Sequence, residues 1–288
     1  MPNRNFRQLL EAKWDEDKFV CIGLDSAVTK LPRATAANTA AIPDQVIFNQ
    51  GIIDATKDLV LAYKPNWAFY LAQGSKGIES LIATINYIHM VAPSVPVIVD
   101  AKVADIGNTN EGYVEFIFGI LGADAVTVHN YLGAEAMKPF LDCADKGIIV
   151  LCRTSNSGAD EFQGSKVPYV SHGATWQEPL YQRVAFNVAR SWNGNNNCAL
   201  VVGATYPEEL REVRAIVGDL PILIPGVGAQ GGDLETAVKM GVDAHGRGMI
   251  INNSRGIIFA SNGPDFAEVA RAKTQEMHEQ IVAARATV

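Results

Sequence analysis

Cysteine is scarce: Cys21, Cys143, Cys152 and Cys198 are the only four in 288 residues. No two form a C-x-x-C pair, which argues against a zinc knuckle or a dithiol redox motif, and four are too few for a disulfide scaffold. Reduced core cysteines in a cytoplasmic protein are the expectation. The five histidines show no H-x-x-x-H or His–carboxylate spacing, so no metal site is expected. No apolar run approaches the roughly 18–20 residues that span a bilayer, and residues 1–18 are polar and charged rather than signal-like. No G-x-G-x-x-G follows an early strand, which weighs against a doubly wound dinucleotide-binding sheet. Positive charge is not in excess either: 24 Lys and Arg stand against 31 Asp and Glu, a formal net charge of −7. A nucleic acid or an acidic membrane surface is therefore an unsuitable partner. A small anion is still compatible, because a local cluster of cations and backbone N–H groups can override the global sign.

What is present is a compact-protein composition, 48% hydrophobic and 19% charged. Short, almost continuously apolar runs occur at 19–24, 59–64, 97–100, 125–128, 148–152, 199–202, 222–224 and 248–251. Strands buried on both faces read this way. Segments of helical period lie between them, at 77–91, 110–121, 177–192, 207–217 and 234–240. Eight strands alternating with helices predict an α/β fold, a (β/α)8 TIM barrel of about 250 residues plus insertions. No composition shift marks a boundary, so a single domain over 1–288 is expected, with loop insertions near 28–43 and 155–173.

In such a barrel the chemistry belongs at the carboxyl ends of the strands. Those ends carry Asp25, Lys64, Asp100, Lys102, His129, Ser155 and Arg255. The densest cluster is Asp100-Ala101-Lys102-Val103-Ala104-Asp105. On an extended chain residues two apart share a face, so Asp100 and Lys102 should point together into the barrel mouth. Lys64, at another strand end, would complete an alternating array with Asp105 beyond it. The same four charges also fit a purely structural salt-bridge network, although a charge cluster in a cleft is itself a mark of a functional site.

The second cluster is 225–233, with Gly226, Gly228, Gly231 and Gly232 ahead of a helix. Glycines permit the positive φ and close approach of an anion nest, and barrels often bind phosphate after strands seven and eight. Arg255 would add a fixed cation and Gln230 an amide donor; a plain Gly-rich turn with a surface arginine is the competing reading. His129 reads best as a satisfied structural histidine, and Trp67, Phe69 and Tyr70 as core.

Taken together, Cys21-Ile22-Gly23-Leu24-Asp25, Tyr63-Lys64-Pro65, the segment 100–109, Arg153-Thr154-Ser155-Asn156, Gly203-Ala204-Thr205, 225–233 and Asn253-Ser254-Arg255 resemble orotidine 5'-phosphate decarboxylases, in order, from about Cys21 to Ala260. The length, Gly203-Ala204-Thr205 and Asn253-Ser254-Arg255 are similar to the longer bacterial branch. That branch carries Arg-Gly where this chain has Val103-Ala104, a pair found in other branches.

The resemblance implies a decarboxylase converting orotidine 5'-phosphate to uridine 5'-phosphate without metal or cofactor. It also implies roles. Asp25 would hold a ribose hydroxyl, Lys64 would bridge ribose and array, and Asp100 would face the substrate carboxylate. Lys102 would stabilise and protonate the C6 carbanion. Ser155 would bond the pyrimidine. Gln230, Arg255, Gly228 and Ser254 would grip the phosphate. Asp105, with Ile106 and Thr109, would enter the site of a second subunit, so a homodimer with shared sites is implied. Metal-dependent sister enzymes that share D-x-K-x-x-D, and a non-catalytic barrel, are the alternatives.

Overall fold

The apolar runs become strands because neither face meets water. The computed structural model describes residues 4–32, 43–171, 174–228 and 231–288. Within them β1 (Val20–Leu24), β2 (Ala62–Pro65), β4 (Ala125–Val128) and β9 (Ile222–Ile224) are buried at every position. So is β8 (Cys198–Val202). With β3 (Ile98–Val103), β5 (Gly147–Arg153) and β10 (Met249–Asn253) they form one eight-stranded sheet in the order β2-β1-β10-β9-β8-β5-β4-β3. Every pair in it is parallel. Its two ends meet through the bridges Tyr63 to Val97 and Asn66 to Asp100, which close the barrel.

All eight expected strands are there, 125–128 and 222–224 with the expected bounds and the others with shifted ends. β3 continues past Asp100 to Val103, and its register against β4 slips between Val99 and Val103. The helical expectation at 177–192 starts too early. Residues 177–179 belong to β7 (Ala174–Pro179), which pairs antiparallel with β6 (Lys166–Ser171) in a hairpin. The helix begins at Leu180, directly after Pro179. The insertion expected at 155–173 therefore contains the short helix Asp160–Gln163 and the first strand of the hairpin, whose second strand lies beyond it. Of the insertion expected at 28–43, the turn Val28–Lys30 is described and 33–42 lie outside the described residues.

Helices Ser75–Val91, Pro207–Val217 and Leu234–Gly241 follow the apolar period closely. Pro207 opens the second of these, where its missing N–H matters least. Three other helices gave a weaker periodic signal. Phe266–Arg285 buries Ala270, Thr274, Met277, Ile281 and Ala284, a stripe of mostly small or polar residues. Gly133–Leu141 contains Pro139. Phe6–Asp15 is short and buries only Phe6, Leu10, Lys13 and Trp14. Among the described residues no helix is long and apolar enough to cross a membrane.

Phe6–Asp15 closes the amino-terminal end of the barrel. Trp14 Nε1 donates to Met249 O at 2.9 Å, and Phe6 N donates to Asp145 O at 2.9 Å, ahead of β5. The fastening is Asp124, fully buried before β4. It accepts from Arg4 Nε and Nη2, each at 2.7 Å, and from Val97 N at 2.8 Å. Burial pushes its carboxyl pKa up, but the Arg4 guanidinium outweighs that and holds it below the usual value. A depressed carboxyl contributes stability above its unfolded value and loses it as pH falls through the folded one. Asp124→Ala should therefore lower the unfolding free energy by about 3–5 kcal/mol at neutral pH, because Arg4 and Val97 N lose their partner. Urea titrations at neutral pH and in acid test this. The gap to wild type should shrink below the reference value of 3.8, and a gap that widens there would assign the stability to another group.

Candidate active site

Three adjacent strands deliver the charged array. Lys64 Nζ, from β2, donates to Asp100 Oδ2 at 2.8 Å, and Lys102 Nζ donates to Asp100 Oδ1 at 2.5 Å. Thr127, the one polar residue of β4, donates its hydroxyl to Asp100 Oδ1 at 2.8 Å. The same Thr127 oxygen accepts the Lys102 backbone N–H at 3.1 Å. Asp100 and Lys102 do meet, but not by simple strand alternation. Lys102 has φ +52°, a left-handed conformation that costs a side-chain-bearing residue about 1–2 kcal/mol. Such strain clusters at functional sites. Here it lets Lys102 fold back on Asp100 while its side chain stays 46% exposed in the cavity.

Asp100 is only 8% exposed. Burial raises its pKa, but the Lys64 and Lys102 ammonium groups outweigh burial and hold the carboxyl well below the usual range. For Lys64, burial lowers the pKa, while Asp100 and Asp25 raise it above the ordinary lysine value and prevail. Both groups are charged at neutral pH.

The array forms the floor of a cavity of about 490 Å³ at the carboxyl ends of the strands. Pockets of this size suit a nucleotide-sized molecule. Asp25 lines it, and its buried Oδ1 has no hydrogen-bond partner among the described residues. A buried carboxylate oxygen left idle calls for a donor from a ligand or water.

At one end stand Gly226, Val227, Ser254 and Arg255. Gly226 has φ +95°, which a side chain would resist. Among the described residues no carboxylate pairs with Arg255, leaving its guanidinium for an anion. Gly228 differs from expectation. Its N–H donates to Gly232 O at 2.9 Å, and it borders a smaller neighbouring cavity instead. Gln230 lies outside the described residues.

Another part of the lining is Ser155 with Thr154, Asn156 and Gln163. Sequence reasoning missed several of these neighbours. Thr127 was findable as the lone hydroxyl of an apolar strand. Asn252 was findable as a polar residue ending one, and Asn253 stood in the Asn253-Ser254-Arg255 segment without a role of its own. Gln163 had no such signal, since only the folding of the insertion brings it to Thr154.

Asp105, Ile106 and Thr109 do not line this cavity. Asn110, fully buried, holds the turn that carries them: Asp105 N donates to Asn110 Oδ1 at 2.8 Å, and Asn110 Nδ2 donates to Asp105 O at 2.6 Å. Ile106 is 57% exposed and Thr109 is exposed, so the turn faces outward. His129 and Asn130 also lie outside the cavity lining.

The orotidine 5'-phosphate decarboxylase of Cellvibrio japonicus is 46% identical over 284 residues, covering 98% of this chain and all of that protein. The structure of the Leishmania donovani OMP decarboxylase superposes with a TM-score of 0.80 at 35% identity, covering 98% of both chains. The Leishmania donovani UMP synthase superposes with a TM-score of 0.82 at 37% identity, and there this chain spans 57% of a longer one. Residues 18–271 match the model of the orotidine 5'-phosphate decarboxylase / HUMPS family, and the chain belongs to that family.

Proposed function

We propose that this protein decarboxylates orotidine 5'-phosphate to uridine 5'-phosphate. The observation that carries the reading is Asp100, buried and ionised between two ammonium groups on the floor of a nucleotide-sized cavity. The phosphate sits at Gly226, Ser254 and Arg255, the ribose at Asp25 and Lys64, and the pyrimidine against Ser155. The C6 carboxylate then lies over Asp100 and Lys102. Four free cysteines support a cytoplasmic setting.

Losing CO2 leaves the bonding pair on C6, where the ring offers no electron sink. A fixed ammonium aimed at that carbon stabilises the charge as it develops, with no reorganisation. Lys102 supplies it, then transfers a proton to C6, and its amine is reprotonated from solvent. Asp100 keeps Lys102 oriented and opposes the substrate carboxylate. At about 4 Å and an effective dielectric of about 20, that repulsion amounts to about 4 kcal/mol. This alone does not lower so high a barrier, so binding energy from the distant phosphate contributes too. Asp105, on its outward turn, completes the array in a second copy of the chain.

Four experiments test the reading. Ultraviolet-monitored loss of orotidine 5'-phosphate should proceed in excess EDTA, since the array supplies its own cations. Lys102→Ala should retain under about one per cent of kcat, a loss above about 2.7 kcal/mol. Inhibition by EDTA with rescue by magnesium would favour the metal-dependent sister reaction instead.

Arg255→Ala should raise KM and lower kcat/KM by tenfold or more, since remote phosphate binding is used at the ring, at about 1.4 kcal/mol per decade. An unchanged kcat/KM would remove Arg255 from the phosphate site.

Mixing Lys102→Ala with Asp105→Asn subunits should restore activity. Random exchange makes about half the dimers mixed, each with one intact site, so roughly a quarter of wild-type activity returns. A silent mixture, with exchange verified by mass spectrometry, would confine the array to one chain.

A further inference from the structure

Arg153 ends β5, immediately before the wall residues Thr154, Ser155 and Asn156, yet its own side chain does not line the cavity. That side chain is 3% exposed. A guanidinium so buried ordinarily makes several strong bonds. Arg214 is an example, donating to the carbonyls of Gly218, Leu220, Gly241 and Gly248 at 2.7–2.8 Å. Arg153 does not. Its Nε and Nη1 have no partner among the described residues, and Nη2 reaches Asp160 at 3.2 Å and Glu209 at 3.5 Å. Its closest aromatic neighbour is Tyr206, with Cζ 4.0 Å from the ring centroid, and Tyr181 is 5.8 Å away. Idle N–H groups on a buried cation are unfavourable. A desolvated cation–π stack offsets part of that, and what the stacked rings hold explains the rest.

Tyr206 OH donates to Asn156 O at 3.2 Å, and Thr205 Oγ1 donates to Ser155 O at 3.2 Å. Gly203 N donates to Arg153 O at 2.7 Å. The two loops approach so closely that a Cβ on Gly203 would stand 2.7 Å from Ser155 Cα. On the other side, Asp160 opens the short helix whose last residue is Gln163. Gln163 Oε1 accepts from Thr154 N at 2.8 Å, and Gln163 Nε2 donates to Thr154 Oγ1 at 2.9 Å. The anchors of Thr154 and of Asn156 thus both converge on one guanidinium.

We propose that Arg153 is a positioning residue whose guanidinium, stacked on Tyr206 and paired with Asp160, sets the wall 154–156 against the pyrimidine ring of the bound nucleotide. This rests on the nucleotide reading above. Planarity is essential to the role, because an ammonium cannot lay a flat face on the Tyr206 ring while also reaching Asp160. The wall meets the base and not the phosphate, so the two halves of the ligand should respond differently.

The test uses the full-length protein and compares Arg153→Met, Arg153→Lys and Tyr206→Phe with wild type by calorimetric binding of uridine 5'-phosphate and of ribose 5-phosphate. Arg153→Met should weaken uridine 5'-phosphate binding about tenfold, as expected for loss of a desolvated stack, and leave ribose 5-phosphate affinity unchanged. Arg153→Lys should not restore the loss, and Tyr206→Phe should show a smaller loss of the same kind. Equal losses for both ligands, full rescue by lysine, or unchanged affinity would each overturn the proposal. If Arg153→Met does not fold, the lysine and Tyr206→Phe variants decide the matter by the same criteria. Failure of wild type to bind uridine 5'-phosphate would instead overturn the nucleotide reading, and this proposal with it.

Discussion

Everything at the mouth of this barrel depends on keeping a negative charge ionised where water hardly reaches. Asp100 is nearly buried, and a lone carboxylate in such a place would take up a proton. Two ammonium groups and a hydroxyl prevent this, and each comes from a strand next to Asp100 or from its own. The parallel sheet sets that spacing. The slip in register between β3 and β4, and the left-handed backbone at Lys102, aim the second cation. The strain there is local, and it is sustained because the surrounding strands leave Lys102 little alternative.

The rest of the cavity sorts by how firmly each part is held. The floor is built on paired strands. The glycine-rich end is built on backbone whose positive φ angles keep side chains out of the way of an anion. The wall at 154–156 is a loop, and loops keep a fixed shape only when bonded along their length. Here the segment after β8 and the helix Asp160–Gln163 supply those bonds from two sides. This division suits the proposed chemistry. A developing carbanion gains most from groups that do not move, whereas grip on a remote phosphate contributes through binding energy.

Much of this was legible in the sequence. Doubly buried strands are written as continuous apolar runs, so all eight barrel strands could be located and their alternation with helices gave the architecture. Polar residues ending those runs, Asp25, Lys64, Asp100 and Arg255, marked the cavity, because such groups are tolerated in an apolar setting only when they converge. The helix Phe266–Arg285 was harder to see. Its buried stripe uses alanine and threonine, which carry little hydrophobic signal.

The tertiary structure alone decided the rest, since it depends on neighbours distant along the chain. Alternation suggested that Asp100 and Lys102 share a face, but their contact comes from a left-handed residue that no local pattern announced. Gly228 matched a phosphate loop by composition, yet its N–H is engaged by Gly232. Gln163 and Tyr206 carry ordinary local signals and act only because a hairpin insertion and a later loop fold back onto β5. By itself the sequence determined which residues must be buried and which charges need partners, because transfer from water is a property of each side chain. Which partner each charge found was settled by strand register and loop closure, because these arise from the whole barrel at once.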